Sequence, residues 1–177
     1  MLSLGSRQAQ RKKWLQEIQR VREVDESGQR WSKQNYKHGY TSYASQDHLH
    51  ILSAEFSAFE SRVDPIVTAY FRALGRALPR GRRKLIMTDL WANVMSRGCR
   101  HKRHQHPNSQ VSGVYYLKVP RGAAPLVLWD PRGDDGVGAL RIVPREDQLV
   151  LFPSWLWHEV PVHQTSQPRI GLSFNYL

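Results

Sequence analysis

His101-Lys102-Arg103-His104-Gln105-His106-Pro107 is the stretch from which the fold reads outward. It is read as an extended segment, within one of the short strands expected of this half of the chain. On such a segment positions i and i+2 project from one face, with Cα atoms roughly 6.6 Å apart. His104 and His106 can therefore reach one metal ion. A mononuclear site needs at least one further ligand from a separate part of the fold, and His158, in Phe152-Pro153-Ser154-Trp155-Leu156-Trp157-His158-Glu159-Val160, offers it. His101 differs from His104 in strand parity and is expected on the opposite side, near the ligands but outside their set. His38, His48, His50 and His163 show no such spacing and are expected at the surface or in packing.

Around this stretch the texture is that of a β-protein. From residue 80 onward, short runs rich in β-branched and aromatic residues alternate with Gly and Pro breaks. Strands are expected at 84–95, 101–106, 110–118, 125–129, 139–143, 148–152, 157–162 and 168–176. Eight short strands at this spacing predict a β-sandwich or double-sheet jelly roll. Residues 1–79 read differently. Trp14, Ile18 and Val21 recur at helical spacing within 7–24, and 27–46 is polar, Tyr-rich and without period, hence loop. Residues 53–77 carry Phe56, Phe59, Val63, Val67 and Phe71 in a helical pattern. Asp64-Pro65 suggests a cap and a second helix start there, although one kinked helix also fits. The helices are expected to cover one sheet of a single domain, 1–177, with 1–79 helical and 80–177 the jelly-roll core. An exposed Trp14 face would allow two copies to pair as a homodimer.

The chain has 177 residues, 40% apolar residues and six tryptophans, enough for a sizeable core. No window approaches the roughly 18 apolar residues of a membrane span, and no signal-peptide pattern opens the chain. No membrane association is expected. Cys99 is the single cysteine, so no internal disulfide can form, and a reducing, cytoplasmic location is the simplest expectation. Its simplest role is an incidental thiol. The formal net charge of +11 points to an acidic partner, and nucleic acid stays open as one. Much of the excess lies in two clusters, Arg7 to Arg22 and Arg76 to Lys84.

Arg169 opens the last expected strand, and alternation puts Arg169, Gly171 and Ser173 on one face. A guanidinium turned into a barrel is costly unless an anion meets it, and its planar fork suits a carboxylate. A rim Arg paired with Asp or Glu is the plainer alternative.

The blocks Trp91-Ala92-Asn93-Val94, His101 to Ser109, Ser112-Gly113-Val114-Tyr115-Tyr116-Leu117, Asp130-Pro131-Arg132, Phe152 to Pro161 and Arg169 to Tyr176 together resemble a group of 2-oxoglutarate and Fe(II)-dependent oxygenases. With Gly39-Tyr40-Thr41-Ser42-Tyr43 the resemblance covers roughly residues 36–176. The interval from Asn93 to His104 is also similar to the layout of 2-oxoglutarate-dependent nucleic-acid demethylases. The resemblance implies a helix-covered double-stranded β-helix, Fe(II) as metal, 2-oxoglutarate as cosubstrate, and O2 with an unidentified substrate as reaction partners. It makes His104, His106 and His158 the metal ligands, with His106 where the family's usual Asp or Glu stands. It makes Arg169 the anchor for the distal carboxylate of 2-oxoglutarate, with Asn93, Tyr115 and Ser173 beside it. Trp91, Tyr116, Trp129, Trp155 and Trp157 become candidates for lining the pocket. Gly171 departs from the common Arg-x-Ser pair.

Two rivals stay open at this level. Three neutral histidines also suit a metal dioxygenase or hydrolase that does not use 2-oxoglutarate. A metal-stabilised basic module that binds nucleic acid would explain the charge without catalysis.

Overall fold

The structure, a computed structural model, describes residues 2–130 and 138–177. Of the resembling blocks, Pro131 and Arg132 lie outside the described residues. The elements in chain order are β1 (Leu2–Ser3), α1 (Gln8–Val24), α2 (Glu26–Asn35), β2 (Gly39–Thr41), α3 (Leu49–Leu52), α4 (Ala54–Ala73) and β3 (Met87–Met95). They continue with β4 (His101–His104), β5 (Val111–Lys118), β6 (Leu126–Asp130), β7 (Gly138–Ile142), β8 (Gln148–Pro153), β9 (Trp157–Val160) and β10 (Arg169–Tyr176).

Two antiparallel sheets face each other. One runs β1-β8-β5-β10-β3-β2 and the other β4-β9-β6-β7. This is the double-stranded β-helix expected from the sequence, extended by the short edge strands β1 and β2. Alternation along β10 divides the molecule. Leu172, Phe174 and Tyr176 join the helices in one apolar core, while Arg169, Gly171 and Ser173 face the smaller sheet and line a cavity. A second apolar cluster, including Met95, Tyr116, Leu128, Phe152 and Val160, fills the space between the sheets beside that cavity.

The helices cover the larger sheet because their apolar stripes have nowhere else to go. Trp14 is fully buried, its indole N–H donates to the Glu55 carbonyl at 2.9 Å, and its ring meets Phe59 and Tyr115 edge-on at 5.3 and 5.6 Å. The expectation of an exposed Trp14 face is therefore corrected, and with it the basis for pairing two copies through that face. Side chains of this size each contribute about 1.5–3 kcal/mol on burial.

Two further expectations change. Residues 27–46 are not all loop, since α2 occupies Glu26–Asn35. Its buried positions are the small Gly28 and Ser32, which create no hydrophobic period, and its start is fixed by the Asp25 carboxylate accepting from Gly28 N–H at 2.9 Å. Of the two alternatives for 53–77, the single helix is the one found, 54–73 with Pro65 inside it, and its cap is the Ser53 hydroxyl rather than Asp64. Asp64 is committed elsewhere, to the Lys84 ammonium and to the Tyr176 hydroxyl at 2.8 Å. Among the described residues no helix is long and apolar enough to cross a membrane.

Candidate metal centre

His104 and His158 are direct partners across the β4–β9 ladder, with ring centroids 4.1 Å apart. His106 follows the end of β4, where its backbone N–H donates to the Ser154 carbonyl at 2.9 Å. This contact turns its ring toward the other two, 5.2 Å from each. One nitrogen from each of the three lies within 4.8 Å of the others. His104 Nδ1 bonds the Lys102 carbonyl at 2.7 Å and His158 Nδ1 the Leu156 carbonyl at 3.0 Å. A carbonyl can only accept, so each Nδ1 carries the proton and each Nε2 keeps a free lone pair.

Burial keeps these rings neutral. It lowers His106 to about 4 and His158 to about 3, the neighbouring His104 adding to both, and it lowers His104 as well. Three neutral imidazoles with free nitrogens are a chemically fit set for Fe(II), and equally for zinc, copper or nickel.

His101 is where strand parity misleads. Four residues on β4, His101 to His104, span three on β9, Val160 to His158, so an irregularity of the β-bulge kind lies between them. The extra residue reverses the parity and brings His101 to the cavity side, instead of the opposite side expected. Its ring stacks on Tyr36 at 4.6 Å and meets His104 edge-on at 5.9 Å. Burial holds it well below the usual histidine range, with His104 and Arg169 adding to the effect. It is not one of the three converging residues.

The cavity, about 800 Å³, contains the three histidines and Arg169 in one wall system. Arg169 is buried, donating to the Tyr116 hydroxyl at 2.9 Å and to Met95 sulfur at 2.8 Å. No carboxylate pairs with it among the described residues, and its Nε has no partner. Asn93 is also buried. Its amide donates to Ser173 Oγ at 3.0 Å, leaving Oδ1 without a partner. The Tyr36 hydroxyl, just past the end of α2, borders the same cavity and shares a hydrogen bond with the Cys99 thiol. A buried guanidinium without an anion costs several kcal/mol, so a carboxylate-bearing ligand fits this corner.

Of the residues expected beside Arg169, Asn93 and Ser173 are there, and Tyr115 is not. Tyr115 lies on the helix side of β5, in contact with Trp14, and its hydroxyl donates to Asp147 at 2.8 Å. Tyr116 is the tyrosine that reaches Arg169. The sequence carried the signal, because Ser112 and Lys118 share parity with Tyr116, whereas Val111 and Leu117 share it with Tyr115. Tyr36 had no such signal. Trp91 lines the cavity, but Trp129, Trp155 and Trp157 do not; Trp129 and Trp157 are cross-strand partners, and Arg103 lies 3.7 Å over the Trp129 ring.

Gly171 has a physical reason. Register shifts between Ile170 and Gly171 against β5, and a Cβ at 171 would sit 2.7 Å from the Tyr115 carbonyl oxygen. A serine cannot stand there without moving backbone, and Ser173 takes up the contact with Asn93. Cys99 is fully buried and burial pushes its thiol up to about 11, which leaves it protonated and inert. His163 is structural. It accepts from Ala124 N–H at 3.3 Å and bonds the Gln167 carbonyl at 2.9 Å.

The family model described as "Putative 2OG-Fe(II) oxygenase" matches residues 89–142 and 137–175. These two stretches hold Asn93, the three histidines and Arg169. Among solved structures, the chain is similar to a Pseudomonas putida prolyl-4-hydroxylase (16% identity, 99% of this chain and 89% of that one, TM-score 0.69). It is also similar to the non-heme alpha ketoglutarate dependent epimerase SnoN from nogalamycin biosynthesis (13%, 99% and 76%, TM-score 0.71). A 2OG-Fe(II) oxygenase family oxidoreductase from Burkholderia pseudomallei is matched at 18% identity over 71% of this chain, which spans 58% of that protein's length (TM-score 0.54). No curated protein matches the sequence. At these identities the solved structures speak for the fold, and the family model adds the sequence blocks around both halves of the histidine trio. Taken with the geometry, they place the chain in the family of 2OG-Fe(II) oxygenases.

Proposed function

We propose that this chain couples the oxidative decarboxylation of 2-oxoglutarate to the oxidation of an organic substrate by O2. His104, His106 and His158 hold the Fe(II), and Arg169 anchors the distal carboxylate of 2-oxoglutarate. When bound, Fe(II) and 2-oxoglutarate together supply the O2 chemistry that yields succinate, CO2 and oxidised substrate.

The observation that carries this reading is Arg169 itself: a buried guanidinium on the wall of the histidine cavity, with Nε unpartnered and, among the described residues, no carboxylate paired with it. A metal site that ignored 2-oxoglutarate would have no use for that charge. Tyr116 and Met95 hold the guanidinium in place from one side. The Lys102 and Leu156 carbonyls fix the tautomers of His104 and His158, so their Nε2 atoms face the cavity. Three neutral ligands leave the metal's charge uncompensated by protein, which favours an anionic cosubstrate. Trp91 and Phe152 help wall the cavity and keep water from the reacting centre.

Succinate formation tests the proposal. The Fe(II)-loaded protein should release it from 2-oxoglutarate, and His158→Ala should not. Undiminished release by that variant would remove the trio from the mechanism. The cytoplasm suits such a protein, because a reducing compartment keeps the iron ferrous and the single thiol free.

A further inference from the structure

The mouth of the cavity differs from its floor. Trp31 of α2 and Tyr43 are large aromatics left 38% and 44% exposed while lining it. From Tyr43 the rings continue inward. Tyr43 to Trp91 is 5.1 Å between centroids and Trp91 to His106 is 5.7 Å, so one line of aromatic faces leads from solvent to the histidine trio. The same cavity is lined by the exposed cations Lys37, Arg100 and Lys102. Among the described residues none of the three is ion-paired, and Glu159 is the one acidic side chain in the lining. By contrast, the cluster conspicuous in the sequence, Arg80 to Lys84, does not line the cavity, and Lys84 is already held by Asp64.

Resting on the oxygenase reading, we infer that the substrate is of the nucleotide class, free or within a single strand: a planar ring carried on phosphate. Two features lead there. Exposed aromatics in line with a reaction centre bind flat rings by stacking, in a way that tolerates the ring's identity. Three unpaired cations, supplied by the turn after α2 and by the start of β4, call for a ligand with more than one negative charge spread along its length. A phosphodiester or phosphate chain has that form, and a mouth of one sign also draws it in from a distance. An acidic peptide satisfies the cations but leaves the aromatic line unused.

Fluorescence anisotropy with the full chain tests this without requiring turnover. The probes are a fluorescein-labelled single-stranded 12-mer, with a mononucleotide and poly-glutamate as competitors. The expected result is salt-sensitive binding that poly-glutamate does not displace. Lys37→Ala, Arg100→Ala and Lys102→Ala combined should weaken it by about tenfold or more and lower the log–log salt slope by about 2. Trp31→Ala and Tyr43→Ala should each weaken it about fivefold. Arg80→Ala with Arg83→Ala should leave it unchanged. Displacement by the mononucleotide at comparable affinity identifies a free nucleotide as the source, and failure to displace identifies a strand. Equal displacement by poly-glutamate, or an unaffected mouth variant, overturns the inference. Succinate release in parallel keeps the two claims apart: release without binding of either the oligonucleotide or a labelled mononucleotide removes the substrate class alone, and binding without release removes the oxygenase reading.

Discussion

His104 and His158 stand opposite one another on neighbouring antiparallel strands, rings 4.1 Å apart, each with its Nδ1 tied to the carbonyl two residues before it. The sheet register thus sets the spacing of two nitrogens, and the backbone sets their tautomer. A site prepared in this way should bind metal with little rearrangement. His104→Ala or His158→Ala should cut Fe(II) affinity and succinate formation by about 100-fold or more, given that changes even behind a ligand cost 10–100-fold. His101→Ala should bind iron and retain partial activity. Metal analysis after desalting reads the first effect; a His101 variant that loses its iron would place that residue among the ligands.

The two tyrosines of β5 separate pocket from core. Arg169→Ala should raise the KM for 2-oxoglutarate by about 10- to 100-fold, since a hydrogen bond to a charged group is worth about 1.5–3 kcal/mol. Tyr116→Phe should raise it less. Tyr115→Phe should leave KM alone and lower stability by about 1 kcal/mol through its lost bond to Asp147. Steady-state kinetics and urea unfolding of the same three variants check both halves, and a KM effect at Tyr115 would reverse the assignment.

Gly171→Ser would restore the common Arg-x-Ser pair, yet the added Cβ would lie 2.7 Å from the Tyr115 carbonyl oxygen. The variant should lose about 1–3 kcal/mol of stability, seen as a lower thermal midpoint. Unchanged stability would mean that the strands part more easily than their register suggests.

Asp147 ties the N-terminal strap to the body, accepting from Ser3, Gly5, Ser6 and Tyr115. Burial pushes its carboxyl up, but the hydrogen bonds from Ser3, Tyr115 and Ser6 outweigh this and hold it below its ordinary value of 3.8. A carboxyl depressed on folding stabilises the protein above its unfolded value, and that share fades as pH falls through the folded value. Metal-free wild type should therefore exceed Asp147→Asn in stability at neutral pH, with the gap closing below about pH 4. Asn tolerates the positive φ of 61° at this position, so backbone strain does not confuse the comparison. Urea titrations at pH 7 and pH 3 decide it; a gap as wide at pH 3 as at pH 7 would contradict the linkage.

How much could be read before the structure depended on whether strand parity held. Arg169, Gly171 and Ser173 share the face that alternation predicts, and His104 with His106 converge as their spacing requires. Parity failed at His101 because the irregular β4–β9 register inserts a residue, and a single sequence does not mark such a site. Helix α2 was hidden for another reason: its buried face is made of Gly28 and Ser32, which carry no hydrophobic signal. Pro65 left a helix start and a single helix through it both open; it lies inside one helix, where tertiary packing of Val63, Val67 and Phe71 outweighs a missing hydrogen bond.

The central claim is that the histidine trio and Arg169 bind Fe(II) and 2-oxoglutarate together. Anaerobic titration of Fe(II)-loaded protein with 2-oxoglutarate, followed by visible absorption, tests it most directly. A metal-to-ligand charge-transfer band that saturates in the wild type and weakens in Arg169→Ala is the predicted result. Iron bound without any such band would contradict the claim and point instead to a three-histidine metal enzyme that does not use 2-oxoglutarate.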